Sequence, residues 1–242
     1  MFITSPFEQF EILPIFQIPF VFSNASLITI IGFLFIYIYI CIKTKFIPTN
    51  FQQVFETIFT TTLELTYANI GGKDNKQFVS LIFVLFFFLL LCNLIGMIPY
   101  SFTLTSHLII TFTLALTIYI GFNIIGIKKY KINFLNLFLP SGSSIALVPL
   151  LVPIELISYI FRVISLPVRL FANMMAGHTL LKIIAGFAWT MLSVNSLIFL
   201  AHFVPLMLLV FLMGLEIAVA MIQAYVFTIL TCIYINDALN LH

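Results

Sequence analysis

Charge is scarce in this 242-residue sequence, and that scarcity excludes several classes of protein. Only 7% of the residues are charged and 62% are hydrophobic, and no long polar segment exists that could form a soluble domain. The net charge is +2, and the ten lysines and arginines are scattered, so a basic surface for a nucleic-acid partner is lacking. This composition predicts an integral membrane protein whose solvent is the lipid bilayer.

Cysteine and targeting signals are scarce as well. Cys41, Cys92 and Cys232 lie far apart in apolar surroundings without CxxC spacing, which predicts buried or lipid-facing thiols and not metal or disulfide chemistry. Residues 1–12 lack the basic region of a signal peptide and the arginines of a transit peptide. Either the first span directs insertion, or the protein is made where it functions.

Long apolar runs are what the sequence has in abundance. Residues 20–42, 78–98 and 103–127 are each long enough to cross a hydrocarbon core of ~30 Å. Two further segments, 144–192 and 196–236, would be about 60–70 Å long as helices, so each must be strongly tilted, broken or extended beyond the bilayer. Prolines offer places to bend them, at Pro149, Pro153, Pro167 and Pro205.

Residues 50–66 have a different pattern. Phe51, Val54, Phe55, Ile58 and Phe59 fall on one helical face. The pattern favours an interfacial amphipathic helix lying on the membrane; a short helix packed on protein is the alternative.

The distribution of lysines predicts the orientation. With alternating crossings, the three lysine-bearing loops all fall on one side, which the positive-inside rule makes the cytoplasm or matrix. The N-terminal segment 1–19 is then outside and the C-terminus inside. The predicted fold is an all-α polytopic membrane protein, one membrane domain over 1–242. It has five membrane helices and one interfacial helix, and the last two membrane helices form a long, strongly tilted antiparallel hairpin.

The few ionisable groups inside the last two segments are the candidate site. Glu155, Arg162 and Arg169 are spaced by seven and share nearly one helical face. Asn173 stays on that side, whereas His178 points the opposite way. An arginine cannot be deprotonated in a protein, so Arg169 at bilayer depth is a functional-site hypothesis by default.

The final segment carries Glu216 and Gln223, also seven apart. A hairpin turning near residues 195–196 sets His178 level with Glu216, and Arg169 level with Gln223. On that register the C-terminal Asp237 lies near Glu155. A histidine–glutamate pair can pass protons near neutral pH, whereas a permanent cation repels an approaching proton. The pattern therefore predicts two aqueous half-paths separated by Arg169.

Several motifs resemble one known family. L-P-V-R-L-F-A-N-M-M-A-G-H and G-L-E-I-A-V-A-M-I-Q-A-Y-V-F resemble subunit a of the F-type ATP synthase, in its mitochondrial form. N-L-I-G-M-I-P-Y-S-F at 93–102 and S-P-F-E-Q-F-E-I at 5–12 are also similar to that family. The resemblance covers nearly the whole chain.

The resemblance implies a stator subunit that offers two offset half-channels to the c-ring, without a catalytic site of its own. It implies that Arg169 faces the c-ring carboxylates and separates the half-channels, with protons as the transported ion and no cofactor beyond bound lipids. The matching proton-path positions are His178, Glu216, Asn173, Gln223, Glu155 and Ser165, with Arg162 and Asp237 as accessory candidates.

The resemblance also implies partners and a compartment. The partners are the c-ring, the peripheral-stalk subunit b and other membrane stator subunits. The compartment is the mitochondrial inner membrane, with the N-terminus in the intermembrane space and the C-terminus in the matrix; a bacterial plasma membrane is the alternative. Two other functions stay open from the residues alone: a secondary transporter or cation exchanger, and a structural membrane subunit whose polar residues only hold helices together.

Overall fold

Helices make up nearly all of the described chain. The computed structural model describes residues 7, 10–16, 22–41, 49–70, 75–98, 101–131, 134, 148–193 and 202–239. Within these ranges six α-helices follow in chain order: α1 (Asn24–Cys41), α2 (Asn50–Asn69), α3 (Asn75–Gly96), α4 (Leu108–Tyr130), α5 (Val148–Ser193) and α6 (Phe203–Leu239). The prediction of a helical membrane protein is confirmed, whereas the number of crossings and the hairpin geometry are separate questions.

A small hairpin precedes α1. Strand β1 (Pro14–Phe16) pairs antiparallel with β2 (Phe22–Ser23). The Asn24 side chain ties this hairpin to the helix start, since its Oδ1 accepts from the backbone N–H of Leu13 at 3.2 Å and its Nδ2 donates to the carbonyl of Glu11 at 3.1 Å. The segment before α1 is therefore folded back onto the beginning of that helix.

Four described helices, α3 to α6, are long and apolar enough to cross a membrane. Helix α1 is also apolar, but its apolar stretch, Asn24–Ile38, is shorter than those four helices. The fifth crossing therefore stays a prediction, as does the tilt of the last two helices.

Helix α4 begins later than the predicted start at 103, because polar side chains form local hydrogen bonds there in place of a regular α-helix. The hydroxyl of Thr103 donates to Ser106 Oγ, and Ser106 Oγ donates to the Thr103 carbonyl. Such local bonds compete with helical ones, and Leu104–Ser106 forms a 3₁₀ turn instead. This turn packs against α1, α3, α4 and α5.

Helix α5 continues through two prolines. Pro153 and Pro167 both lie inside Val148–Ser193, so neither one ends the helix. Pro149 and Pro205 fall in the first turns of α5 and α6, where the missing N–H has no intrahelical acceptor to lose. At 1.5 Å per residue α5 is about 69 Å long, more than twice the hydrocarbon thickness.

The second half of α6 is the centre of the packing. It contacts α2, α3, α4 and α5. Ala224 and Phe227 join one core cluster with residues of α3, α4 and α5, and Cys232 and Ile235 join another with α3 and α4. The first half of α6 is mostly exposed, for example at Val204 and Phe211.

Helix α2 packs on protein along one side. Thr62, Thr66 and Ile70 are completely buried, and the helix contacts α3 and α6. Thr49 caps its start by accepting from the backbone N–H of Gln52. This packing favours the alternative of a short helix packed on protein. The position of α2 in the membrane–water interface stays a prediction.

Two adjacent threonines of α2 provide a test of this packing. Thr62→Leu adds volume at a fully buried position, and overpacking costs about 1–3 kcal/mol, whereas Thr61→Leu changes an exposed neighbour of the same type. We expect Thr62→Leu to lower the thermal unfolding midpoint of the purified complex and Thr61→Leu to leave it unchanged. Equal midpoints for the two variants would contradict the packing.

Candidate functional site

The interface between α5 and α6 brings a histidine and a glutamate together. His178 Nδ1 lies 3.7 Å from Glu216 Oε1, and their side chains are only 13% and 8% exposed. Neither carboxylate oxygen of Glu216 has a hydrogen-bond partner among the described residues, and neither has His178 Nε2. A buried carboxylate in this state requires a partner or a proton.

Gly177 makes room for the Glu216 carboxylate. A Cβ on Gly177 would collide with Glu216 Oε1 and would lie 2.9 Å from its Cδ. Only glycine lets the carboxylate lie directly against the backbone of α5 at this level. The position of the Glu216 carboxylate thus depends on residue 177 being glycine.

A cleft between the two helices opens beside Glu216. Its volume is ≈ 240 Å³, and Asn173, Gly177 and Glu216 line it together with aliphatic side chains. Asn173 Nδ2 donates to Gln223 Oε1 at 3.2 Å. The two amides therefore hold α5 to α6 at a level nearer the start of α5 than the His178–Glu216 pair. The volume is enough for several water molecules.

Arg169 lies on the exposed face of α5, near the middle of the helix. Its neighbours Leu166 and Leu170 are buried, whereas Val168 and Ser165 are exposed with it. Among the described residues no carboxylate lies within ion-pair distance of Arg169, and no hydrogen bond to it is present. Within the described part of the chain the Arg169 guanidinium therefore has no carboxylate partner.

A third pair closes the N-terminal half of α5 against α6. Arg162 Nη1 lies 3.0 Å from Asp237 Oδ2 and its guanidinium lies 5.7 Å from the centre of the Tyr234 ring. The partner of Arg162 is thus Asp237 on α6 and not Glu155, which is seven residues away on nearly the same face of α5. Tyr159 continues the cluster, since its hydroxyl donates to Asn123 Oδ1 of α4 at 2.7 Å.

The remaining candidates are less connected. Glu155 is partly exposed, without an ion pair or hydrogen bond among the described residues, and Ser165 Oγ donates only to the carbonyl of Arg162 at 3.1 Å. The expected level pairing of Gln223 with Arg169 is replaced by pairing with Asn173, one turn further on. The register inferred from sequence therefore agrees with the structure at His178 and Glu216. Toward the N-terminal half of α5 the observed pairs depart from it, since Gln223 meets Asn173.

Sequence reasoning missed two residues that belong to this region. Gly177 was part of a recognised motif, but its role depends on Glu216, 39 positions away, so nothing local signals it. Asn93 is completely buried on α3 and donates to the carbonyl of Ala220 at 3.1 Å, while its Oδ1 has no partner in the described part of the chain. Asn93 also opens the recognised motif at 93–102, and the further signal for it was a lone amide within an apolar run.

The arrangement can move protons and can repel them. The His178–Glu216 pair and the cleft beside it offer groups that bind and release protons away from bulk water. Arg169 offers a fixed positive charge on the outer surface of the same helix. The structure thus combines buried proton-binding groups between α5 and α6 with an exposed arginine that has no carboxylate partner among the described residues.

Comparisons with known proteins agree with this chemistry. The family described as ATP synthase A chain matches residues 21–236. ATP synthase subunit a of Chondrus crispus is 52% identical, over 99% of this chain and 98% of its own length. The subunits of Pylaiella littoralis and Marchantia polymorpha are 51% and 46% identical, each over 98% of this chain and 99% of their own length.

These relatives are subunits of a larger complex and not its catalytic part, and their organisms point to an organellar inner membrane. In this helical membrane chain, the His178–Glu216 and Arg162–Asp237 pairs both lie between the last two described helices. The chain belongs to the ATP synthase subunit a family, the proton-translocating stator subunit of the F-type ATP synthase.

Proposed function

We propose that this chain supplies two offset half-channels to the c-ring, and that Arg169 separates them while facing a c-ring carboxylate. The observation that carries the proposal is the exposed and unpaired guanidinium of Arg169 on an otherwise apolar face of α5. At bilayer depth such a cation is costly unless an anion meets it. Among the described residues that anion is missing, so a partner subunit must supply it.

The outer half-channel is formed by the cleft between α5 and α6. Water in the cleft delivers a proton to Glu216, whose carboxylate has free acceptor positions, and His178 shares the proton across 3.7 Å. The Asn173–Gln223 pair lies between Glu216 and the level of Arg169. These two amides orient the water that carries the proton toward the rotor.

The inner half-channel lies along the N-terminal half of α5. Ser165 is exposed on the same face as Arg169, and Glu155 is partly exposed nearer the helix start. Ser165 and Glu155 receive the proton released by the rotor carboxylate. Arg162 and Asp237 have the accessory task of holding α5 to α6 beside that path.

The proton then moves in a fixed order. A protonated rotor carboxylate arrives through lipid, loses its proton to the inner path and becomes the anion that pairs with Arg169. It moves on and is reprotonated from Glu216. Because Arg169 cannot release its own proton, protons cannot pass directly between the two paths, and their flow must turn the rotor.

The assembly and its orientation follow from the same reasoning. The c-ring lies against the Arg169 face, and subunit b and other membrane stator subunits cover further apolar surface. The three lysine-bearing loops, which fall on one side of the membrane, put the C-terminus in the matrix and the N-terminus in the intermembrane space of a mitochondrion. Protons are the transported ion, and the mechanism needs no cofactor, with lipids as the bound molecules.

Replacing Arg169 tests the proposal most directly. Arg169→Ala is expected to reduce ATP-driven proton pumping in the reconstituted complex by about a hundredfold or more, the effect of removing one partner of a desolvated charge pair. Arg162→Gln, which removes a guanidinium already paired within the chain, serves as the control and is expected to keep pumping. Retained pumping by Arg169→Ala would refute the proposal and would favour a structural role for these polar residues.

Carbodiimide labelling separates the proposal from a transporter function. If a rotor carboxylate is the moving group, then activity is lost when the partner's carboxylate is modified. Loss of activity that tracks modification of Glu216 or Glu155 instead would indicate a transport site within this chain.

Two glycines of α5 provide a second, matched test. Gly177→Ala puts a methyl group into the Glu216 carboxylate, whereas Gly186→Ala meets no atom within 4 Å. We expect Gly177→Ala to lower proton conduction through the membrane sector by about tenfold or more, because proton transfer depends on sub-ångström placement. Gly186→Ala is expected to conduct normally, and equal conduction by both variants would show that Glu216 tolerates displacement.

A further inference from the structure

One recognised motif has no part in the proposed proton path. It is the N-terminal S-P-F-E-Q-F-E-I at 5–12, of which the structure describes Phe7 and residues 10–12. Phe10 is only 8% exposed, whereas Phe7 is 54% exposed and Ile12 52% exposed. Among the described residues of this segment, Phe10 alone is thus buried.

Phe10 is buried against the imidazole of His178. The two ring centres are 6.4 Å apart and the ring planes meet at 68°, an edge-to-face arrangement. This separation lies within the range in which aromatic rings attract each other beyond their simple burial. The N-terminal segment therefore contacts the proton-path histidine directly, although the two are far apart in sequence.

The chain before α1 holds Phe10 in this place. The backbone N–H of Phe10 donates to the carbonyl of Phe7 at 3.0 Å and makes a turn. Further along, Asn24 binds the backbone of Glu11 and of Leu13. Phe10 is thus fixed relative to the start of α1.

The imidazole of His178 needs such support. Its Nε2 has no hydrogen-bond partner among the described residues, and its Nδ1 is 3.7 Å from Glu216 Oε1, which is longer than a hydrogen bond. Histidines that bind metals or protons are usually oriented by a hydrogen bond to the second nitrogen. Here that bond is missing from the described part, so packing on the ring must set its orientation.

We propose that Phe10 is a positioning residue for the His178–Glu216 pair: it holds the imidazole toward Glu216 and keeps water from one face of the ring. Protons then reach the pair through the cleft between α5 and α6 and not from the side of the N-terminal segment. The effect on proton flow rests on the proposed function, whereas the effect on His178 accessibility does not.

Histidine modification measures the accessibility. The assembled ATP synthase in proteoliposomes is treated with diethyl pyrocarbonate near neutral pH, and mass spectrometry gives the rate at each histidine. Phe10→Ala is expected to raise the rate at His178 by about two- to tenfold, as expected for loss of one edge-to-face aromatic contact. An unchanged rate at His178 would overturn the proposal.

Internal references separate local opening from general loosening. His107 and His202 are half-buried and make no ring contact with Phe10. Burial lowers the pKa of the His107 imidazole below its ordinary value. Their rates are expected to stay constant in Phe10→Ala, and a parallel rise at all three histidines would overturn a specific role for Phe10.

Two further variants make the test stringent. Phe7→Ala removes the same side chain three positions away, where it is exposed, and is expected to leave the rate at His178 unchanged. Phe10→Leu keeps apolar bulk over the ring, so its rate is expected to fall between wild type and Phe10→Ala. A Phe7→Ala effect as large as that of Phe10→Ala, or a Phe10→Leu rate at or above it, would overturn the proposal.

Proton-driven ATP synthesis by the same proteoliposomes tests the positioning role. We expect Phe10→Ala to lower the rate by about two- to tenfold at equal complex content, and Phe7→Ala to leave it unchanged. Faster modification of His178 with unchanged synthesis would overturn positioning by Phe10 and would leave the proposed half-channels intact. Failure of the half-channels would appear instead in the Arg169→Ala experiment, while the modification result would still stand.

Discussion

The close approach of α5 to α6 at Gly177 is the constraint on which the placement of the polar groups depends. The Glu216 carboxylate fills the space that a side chain at 177 would take, so the two helices meet with only this group between them. That contact brings His178 to Glu216, and the same interface then pairs Asn173 with Gln223. A side chain at 177 would displace the Glu216 carboxylate from this position.

Burying a carboxylate without hydrogen bonds is unfavourable by several kcal/mol unless the group is neutralised or paired. A fold selected for stability alone would replace Glu216 with an aliphatic residue, which the surrounding leucines would accommodate. Its position beside a histidine and a cleft of ≈ 240 Å³ instead suits a group that gains and loses a proton. Stability is supplied elsewhere, by the second half of α6 and its aromatic and aliphatic neighbours on α3, α4 and α5.

Arg169 illustrates the opposite arrangement. The chain buries the leucines on either side of it and turns the guanidinium outward, onto a face where Phe161 and Val168 are also exposed. Arg162 has the same charge but is paired with Asp237 inside the chain. Two arginines seven residues apart thus differ: Arg162 has a carboxylate partner on α6, and Arg169 has none among the described residues.

The sequence by itself determined the membrane class, the approximate helices and the identity of the ionisable groups, because hydrophobic run length and rare charges in apolar segments are local signals. It also set His178 level with Glu216, since a hairpin register can be estimated from one turn. Only the tertiary structure decided that Gln223 meets Asn173, that Asp237 meets Arg162, that α5 continues through Pro167, and that Gly177 and Phe10 adjoin the Glu216 and His178 side chains. Those outcomes depend on helix rotation and on how closely backbones approach, which are set by packing among segments distant in the chain.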